Sequence, residues 1–379
     1  MKICYWGTYD ADYSRNVIII SGLGNNGIEV VECHIDVWGE TSRKLSAAKI
    51  SNVMTVISTF LNLSAAYLKL FLRFLLLKKI DVIIIGYTGH IDVFIGKILS
   101  KLKGIPLVFD AYLSLHDSLI CDRKVINKSS LKAYLLHGID KYSCKLADVV
   151  LLDTNEHIEY FVREFGIPKT KFRRIYISAD DNIFHFNGIV KSQTQPNKIF
   201  KVLHFGKYIP LHGLQYVLQA AEILENDSIL FQFIGSGQEY PSIRSTAEAL
   251  SLKNIEFIEF IPQSLLVDYI QEADICLGIF GDTEKAKRVI PNKIYECIAM
   301  KKAVITGNSP AIRELFIHGK NIWLCEMANA KSLAEAILFL KQNNDIVNGI
   351  ASNAYNLYKE CLAPKYIGKE IITIVKSII

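Results

Sequence analysis

The sequence lacks the patterns that mark metal and nucleophile chemistry. It has no CxxC pair and no HExxH, so neither a thiolate cluster nor a zinc-protease helix is written into it. Without GxSxG there is no nucleophile elbow for a serine hydrolase. The triplet Asp10–Ala11–Asp12 matches DxD by letter, but it follows the first predicted strand in a short connection and reads as a turn. The eight cysteines are scattered, several in apolar runs such as ICYW and ADICLGIF, which predicts buried reduced thiols and a reducing compartment. The opening residues MKICYWGTYD lack the basic region, apolar stretch and cleavage site of a secretory signal, which predicts a cytoplasmic protein. Neither sign of charge dominates. Lys and Arg number 43 against 38 Asp and Glu, a mild basic excess that suits a phosphate-bearing ligand or an anionic surface as readily as nucleic acid.

No clean membrane span is present either. Val53 to Leu77 is apolar but is interrupted by Asn62, Lys69 and Arg73, and charges near the middle of a span are expensive. Ser58, Asn62, Ala65, Ala66, Lys69 and Arg73 recur at helical spacing and form one stripe. Two readings stay open: a helix that covers a sheet and wets this stripe, or an interfacial helix on an anionic membrane, with Lys78 and Lys79 following.

What the 379 residues do contain is an alternation of short apolar runs with helical stretches, the pattern of an α/β chain with parallel sheets. The first series of strands is Lys2 to Trp6, Glu29 to His34, Asp81 to Gly86, Pro106 to Asp110 and Asp148 to Asp153. A second begins at Phe200 with KVLHFG and continues through ILFQFIG, IEFIEF, ADICLGIF, AVITG and NIWLC. A chain of this length exceeds one core, and the polar stretch 184–198 is the predicted linker. The expected domains are 1–183 and 199–345, followed by a helical tail, 346–379. Two Rossmann-like domains facing one another would form a deep cleft at the carboxyl ends of their strands, where open α/β sheets bind ligands.

Four segments carry candidate chemistry. GLGNNG (Gly22, Gly24, Gly27) matches GxGxxG but lies after a helix and before a strand, the reverse of a nucleotide fingerprint, so it predicts a helix stop. HFGKYIPLHG ends a strand at Gly206, offers Lys207, and starts a helix near His212 and Gly213 whose free N–H groups suit a diphosphate. FIGSG repeats a glycine loop with Gly235 and Gly237. RVIPNKIYECIAMKKAVITGNSPAIRE holds Arg288 and Lys293 for phosphate charge, Pro291 at a helix start, and Glu296 for neutral hydroxyls such as a ribose diol. In the first half, Gly7 closes the first strand, Asp110 ends a later one, and His116 with Asp117 follow in the loop beyond.

The spacing of GKYIPLHG, FIGSG, PNKIYECIAMKKAVI and SPAIRE resembles family 4 of the retaining glycosyltransferases (glycosyl transferases group 1), with specific motifs in the second half. The resemblance implies the GT-B fold, with a C-terminal helix crossing back to the N-terminal domain. It implies donor-diphosphate contacts at Lys207 and at His212, where the family usually has lysine, and a donor-ribose carboxylate at Glu296. It places a histidine or acidic group of this region beside the sugar, which Asp110 matches best, with a structural cap or turn residue as the other reading of Asp110; Gly7 and His116, by their positions after strands, are further acceptor-side candidates. Arg288 stands where the family often has a second glutamate, eight positions before Glu296. The implied partners are a UDP- or GDP-sugar and a sugar or lipid-linked acceptor of a cell-surface polysaccharide. No resident metal, other cofactor or nucleic acid is expected, and an anionic membrane on the inner face of the cell is a further expected contact. Rival readings are a nucleotide-sugar epimerase or phosphorylase on the same fold, and a catalytically silent binding subunit.

Overall fold

The computed structural model describes residues 1–37, 53–188 and 199–379, with the side chains of 53–60 left aside. Contacts divide the chain into two compact units, Met1–Tyr176 with Pro364–Ile379, and Ile177–Ala363. The changeovers thus fall before the expected linker and within the expected tail. Residues 189–198 of that linker, and Ser58 of the polar stripe, lie outside what is described.

Unit 1 contains β1 (Lys2–Gly7), α1 (Ser14–Gly24), β2 (Glu29–His34), α2 (Val53–Leu76), β3 (Val82–Ile85), α3 (Asp92–Lys103), β4 (Leu107–Tyr112), α4 (Leu131–Leu146), β5 (Val149–Leu152), α5 (Asn155–Phe165) and β6 (Phe172–Arg174). The strands form one parallel sheet ordered β2-β1-β3-β4-β5-β6. β3 and β5 are buried along their whole length, which is why VIII and VVLL read as unbroken apolar runs. β6 at the sheet edge has three residues with Arg at two of them, too short and polar for its sequence to announce it. One face carries Leu70 and Phe74 from α2, Val93 and Leu99 from α3, Cys144 from α4 and Phe161 from α5. The other is covered by α1 and by the last helix of the chain. GLGNNG is indeed a helix stop: Ile28 N–H bonds Leu23 O at 3.2 Å and Gly27 turns with φ +71°.

Unit 2 contains β7 (Phe200–Phe205), α6 (Leu214–Ile223), β8 (Ile229–Ile234), α7 (Tyr240–Ala249), β9 (Ile255–Ile258), α8 (Gln263–Glu272), β10 (Ile275–Leu277), α9 (Asn292–Ala299), β11 (Val304–Gly307), β12 (Trp323–Cys325), α10 (Ala330–Gln342) and α11 (Asn344–Leu357). Its parallel sheet runs β12-β11-β10-β7-β8-β9, so the direction of winding reverses between β7 and β10. Ligands of doubly wound sheets bind outside the carboxyl ends of the strands at this switch point. The last helix, α12 (Pro364–Lys376), returns to unit 1 and lies along α1. Gly22 and Gly368 let the two backbones meet: a Cβ on Gly368 would lie 2.0 Å from Gly22 O.

Candidate functional site

Two loops meet at the β7/β10 switch point. After β7 the chain makes a short 3-10 turn, Pro210–His212, before Gly213 (φ +64°) reverses it into α6. After β10 the chain runs through Gly278 to Pro291 before α9. Backbone bonds tie the loops together: Phe280 N–H to His212 O at 3.0 Å and Gly281 N–H to Leu211 O at 3.2 Å. The contact tolerates no side chain at Gly213, whose Cβ would sit 2.4 Å from Gly281 N. The helix starts next to Gly213 as expected, but the expectation of free N–H groups at His212 and Gly213 is corrected. The N–H groups of His212 and Gly213 are spent within the turn on Ile209 O and Pro210 O, so the orphan amides of α6 begin at Leu214.

The glycines of FIGSG have a different use from the one predicted. A Cβ on Gly235 would lie 2.2 Å from Gly206 O, and one on Gly237 would lie 2.6 Å from Tyr208 N. They let the β8 loop press backbone to backbone on the β7 loop, sealed by Tyr208 N–H to Ser236 O at 3.0 Å. Gly206 is exposed, and the nearest atoms to a Cβ there would be side-chain atoms of His212 at 3.5 Å and Lys293 at 3.7 Å, with no backbone clash.

Lys293 is therefore the lysine that converges with Gly206 and His212, whereas Lys207 is exposed. Lys293 lies in the first turn of α9, which starts after Pro291 in the N-cap position. A cation there opposes the helix dipole, and this one is also 5% exposed. Its Nζ is hydrogen-bonded to His204 Nδ1 at 3.3 Å, an imidazole rather than a carboxylate. Burial pushes its pKa from 10.5 down to about 7. His204 is held neutral by burial, by Lys293 and by His212, and its other nitrogen, Nε2, is buried without a hydrogen-bond partner. Three residues on from Lys293, on the same side of α9, Glu296 is half-buried; burial raises its carboxyl to about 7 and Lys293 opposes that rise. Arg288, 7% exposed, lies in the loop whose Ala286 and Val289 pack on Leu211 and Ile279. A cavity of about 530 Å³ opens past β11 and β12, lined by Asn308, Arg313, His318 and Glu326.

The unit 1 candidates sit at the carboxyl end of its sheet but have separate partners. Asp110 is fully buried and gripped by Arg15, with Nε at 3.0 Å and Nη2 at 2.8 Å from its two oxygens, while Arg15 Nη1 also donates to Ile175 O at 3.0 Å. Arg15 has no motif around it, and only the fold brings it to Asp110, 95 residues away. Gly7 makes room for Asp92, whose Oδ2 accepts from Thr8 N–H at 2.8 Å and would lie 2.3 Å from a Cβ on Gly7. His116 donates its backbone N–H to Asp140 at 2.9 Å, and burial lowers the pKa of its ring. Asp140 also accepts from Ser114 Oγ at 2.6 Å and lies 3.5 Å from His90, neither of which carried a sequence signal.

Residues 187–357 match the family model for glycosyl transferases group 1. An uncharacterized glycosyltransferase of Haemophilus influenzae is 24% identical over 148 residues, 38% of this chain and 40% of that protein. The amylovoran biosynthesis glycosyltransferase AmsK of Erwinia amylovora is 27% identical over 191 residues, 48% of this chain and 45% of its own. The chain thus spans less than half the length of these relatives. The crystal structure of Anabaena HepE in complex with UDP and glucose superposes with a TM-score of 0.68 at 16% identity, covering 99% of both chains. The fold is therefore of the GT-B kind, with two Rossmann-like units in one chain.

Proposed function

We propose that this chain is a glycosyltransferase whose unit 2 binds a nucleotide-sugar at the β7/β10 switch point. The observation that carries this reading is Lys293, a buried lysine set against a helix dipole and bonded to a neutral imidazole. A site that holds a cation at this expense in the free protein is completed by an anion, and a diphosphate answers both the charge and the exposed Gly206. As that diphosphate leaves, negative charge grows on it, and Lys293 with His212 and Lys207 would stabilise it where it forms. Glu296 would accept hydrogen bonds from the ribose diol, and Arg288 would add to the charge balance, with no resident metal needed in this scheme.

HepE supports a UDP-sugar as donor, since its crystal structure holds UDP and glucose. A polysaccharide precursor as acceptor rests on the family resemblance, and AmsK, by its name a glycosyltransferase of amylovoran biosynthesis, is consistent with a role in biosynthesis. Retention of configuration, with the departing phosphate as base, rests on the resemblance of PNKIYECIAMKKAVI to family 4. Calorimetry with UDP, GDP and ADP tests the site. One of the uridine or guanosine diphosphates binds the wild type, and Glu296→Gln weakens it roughly tenfold to a hundredfold, the worth of a charge-assisted hydrogen bond. Absence of binding by all three nucleotides would overturn the reading. Conversion of a bound UDP-sugar with no acceptor present would replace transfer by epimerisation.

A further inference from the structure

The outer surface of unit 1 is unusually apolar in one place. Among the described residues, 22 large apolar side chains are exposed, and 13 of them lie on α2, α3 and α4 or on Ile91, which precedes α3. These helices are only 24, 12 and 16 residues long, so the concentration is local. All three send their inner residues into the same cluster on one face of the sheet, so their outer faces look away from that sheet together. On α3 the exposed positions Ile91, Phe94, Ile98 and Leu102 recur at three- and four-residue spacing and make one continuous stripe. On α2, Leu68, Leu72 and Leu76 do the same, at 54 to 80% exposure. The stripe on α4 is Leu131, Leu135 and Tyr142, with the ammonium of Lys145 over the Tyr142 ring.

The exposed charges that these helices themselves carry have one sign, while Asp148 and Glu164 from neighbouring segments pair with Lys97 and His137. The only acids of the three helices are Asp92 and Asp140, both fully buried, whereas Lys69, Arg73, Lys101, Lys132 and Lys145 are exposed among the apolar residues. Two copies of such a face would set cations against cations, which argues against a second copy of the chain as its occupant. Among the described residues no helix is long and apolar enough to cross a membrane. An apolar face edged by Lys and Arg, with tyrosines whose rings can sit at headgroup level, fits the surface of an anionic bilayer.

We infer that the outer face of α2, α3 and α4 is a docking surface for an anionic lipid membrane. It extends the interfacial reading of the α2 sequence to two more helices. The polar stripe on α2 is broken by leucines on its exposed side, so the helix offers lipid both charge and apolar area. The inference does not rest on the transfer reading, because vesicle binding and nucleotide calorimetry can each fail without the other.

The test is flotation of the full chain with vesicles of phosphatidylcholine alone and of phosphatidylcholine with phosphatidylglycerol. The wild type floats with the anionic vesicles, less with neutral ones, and salt releases it. Phe94→Glu with Ile98→Glu, on α3 alone, lowers binding to the anionic vesicles by roughly tenfold or more, while Leu250→Glu with Phe260→Glu, exposed side chains of unit 2, leaves it unchanged. Thermal unfolding of each variant shows whether it is folded. A wild type that stays unbound with phosphatidylglycerol, or an α3 variant that binds as the wild type does, overturns the proposal. So does a dimer in sedimentation equilibrium that the α3 substitutions dissolve without any vesicle binding, which would give the face to a second copy.

Discussion

At the scale of single residues, Lys293 is the group whose state most depends on what is bound. Between about pH 7 and 10.5 the unfolded chain keeps a proton on this lysine that the folded, unliganded protein has lost, so its contribution makes stability rise with pH across that window. Glu296 acts in the opposite sense: between about pH 4.5 and 7 the folded state holds a proton that the unfolded state has released, so stability falls as pH rises. Together they place a local minimum of apo stability near neutrality, measurable by chemical denaturation across pH. A diphosphate binds the charged lysine, so affinity for UDP falls roughly tenfold or more from about pH 6.5 to 8.5. Lys293→Met binds more weakly and loses most of this pH dependence; a wild-type affinity that is flat over the same range would remove Lys293 from the site. Asp110 belongs to a different class. With Arg15 it forms a buried pair at 1% exposure or less, and removing one partner strands the other. Arg15→Met and Asp110→Asn are each expected to cost about 3–5 kcal/mol, and the double variant less than their sum. Denaturant titration of all three variants checks this, and additive losses would show that the two side chains do not act as a pair.

Elements explain which parts of this were visible beforehand. Most strands of both sheets were legible because parallel strands buried along their whole length must be apolar throughout, and VIII, VVLL and ICL obey that rule. Glu296 and Lys293 were legible as neighbours because three residues along a helix return to the same side. What stayed hidden depends on contact between distant loops. Nothing in HFGKYIPLHG says that its helix is preceded by a closed 3-10 turn, since that turn is held by Phe280 and Gly281 from another strand's loop. Nor does FIGSG say that its glycines serve packing instead of ligand approach. Lys207 and Lys293 looked interchangeable as sources of charge until the fold buried one and exposed the other. The packing role has its own test. Gly235→Ala forces a Cβ against Gly206 O in a backbone with φ +126°, and should cost roughly 1–3 kcal/mol and weaken nucleotide binding by moving the β7 loop. Gly27→Ala, at φ +71° with nothing within 4 Å, carries only the strain of its conformation, about 1 kcal/mol, and leaves nucleotide binding intact. Equal effects on binding from both would show that the close approach of the two loops is irrelevant to the site.

For the whole molecule, the first unit is not one continuous stretch of chain. Unit 1 is interrupted by all of unit 2 and is finished only by α12, which puts Ile367, Ile371 and Val375 into the cluster formed by Ile18, Ile19 and Leu23 of α1 with Ile3, Ile84 and Val108 of the sheet. The last sixteen residues therefore bear on the first domain, whereas α11, their neighbour in sequence, packs in unit 2 with Val347, Ile350 and Ala351. A chain ending at Ala363 leaves one face of the first sheet open and keeps the second core complete. Burying a large aliphatic side chain is worth about 1.5–3 kcal/mol, so losing three of them is comparable to the full stability of many domains. The expected result in calorimetric unfolding is a transition for unit 1 lowered or abolished, a transition for unit 2 unchanged, and UDP affinity retained, since every residue assigned to the nucleotide lies between 206 and 296. Loss of UDP binding on truncation would mean that the nucleotide site draws on unit 1, and Gly368→Leu, which wedges α12 from α1 without shortening the chain, would then abolish it as well.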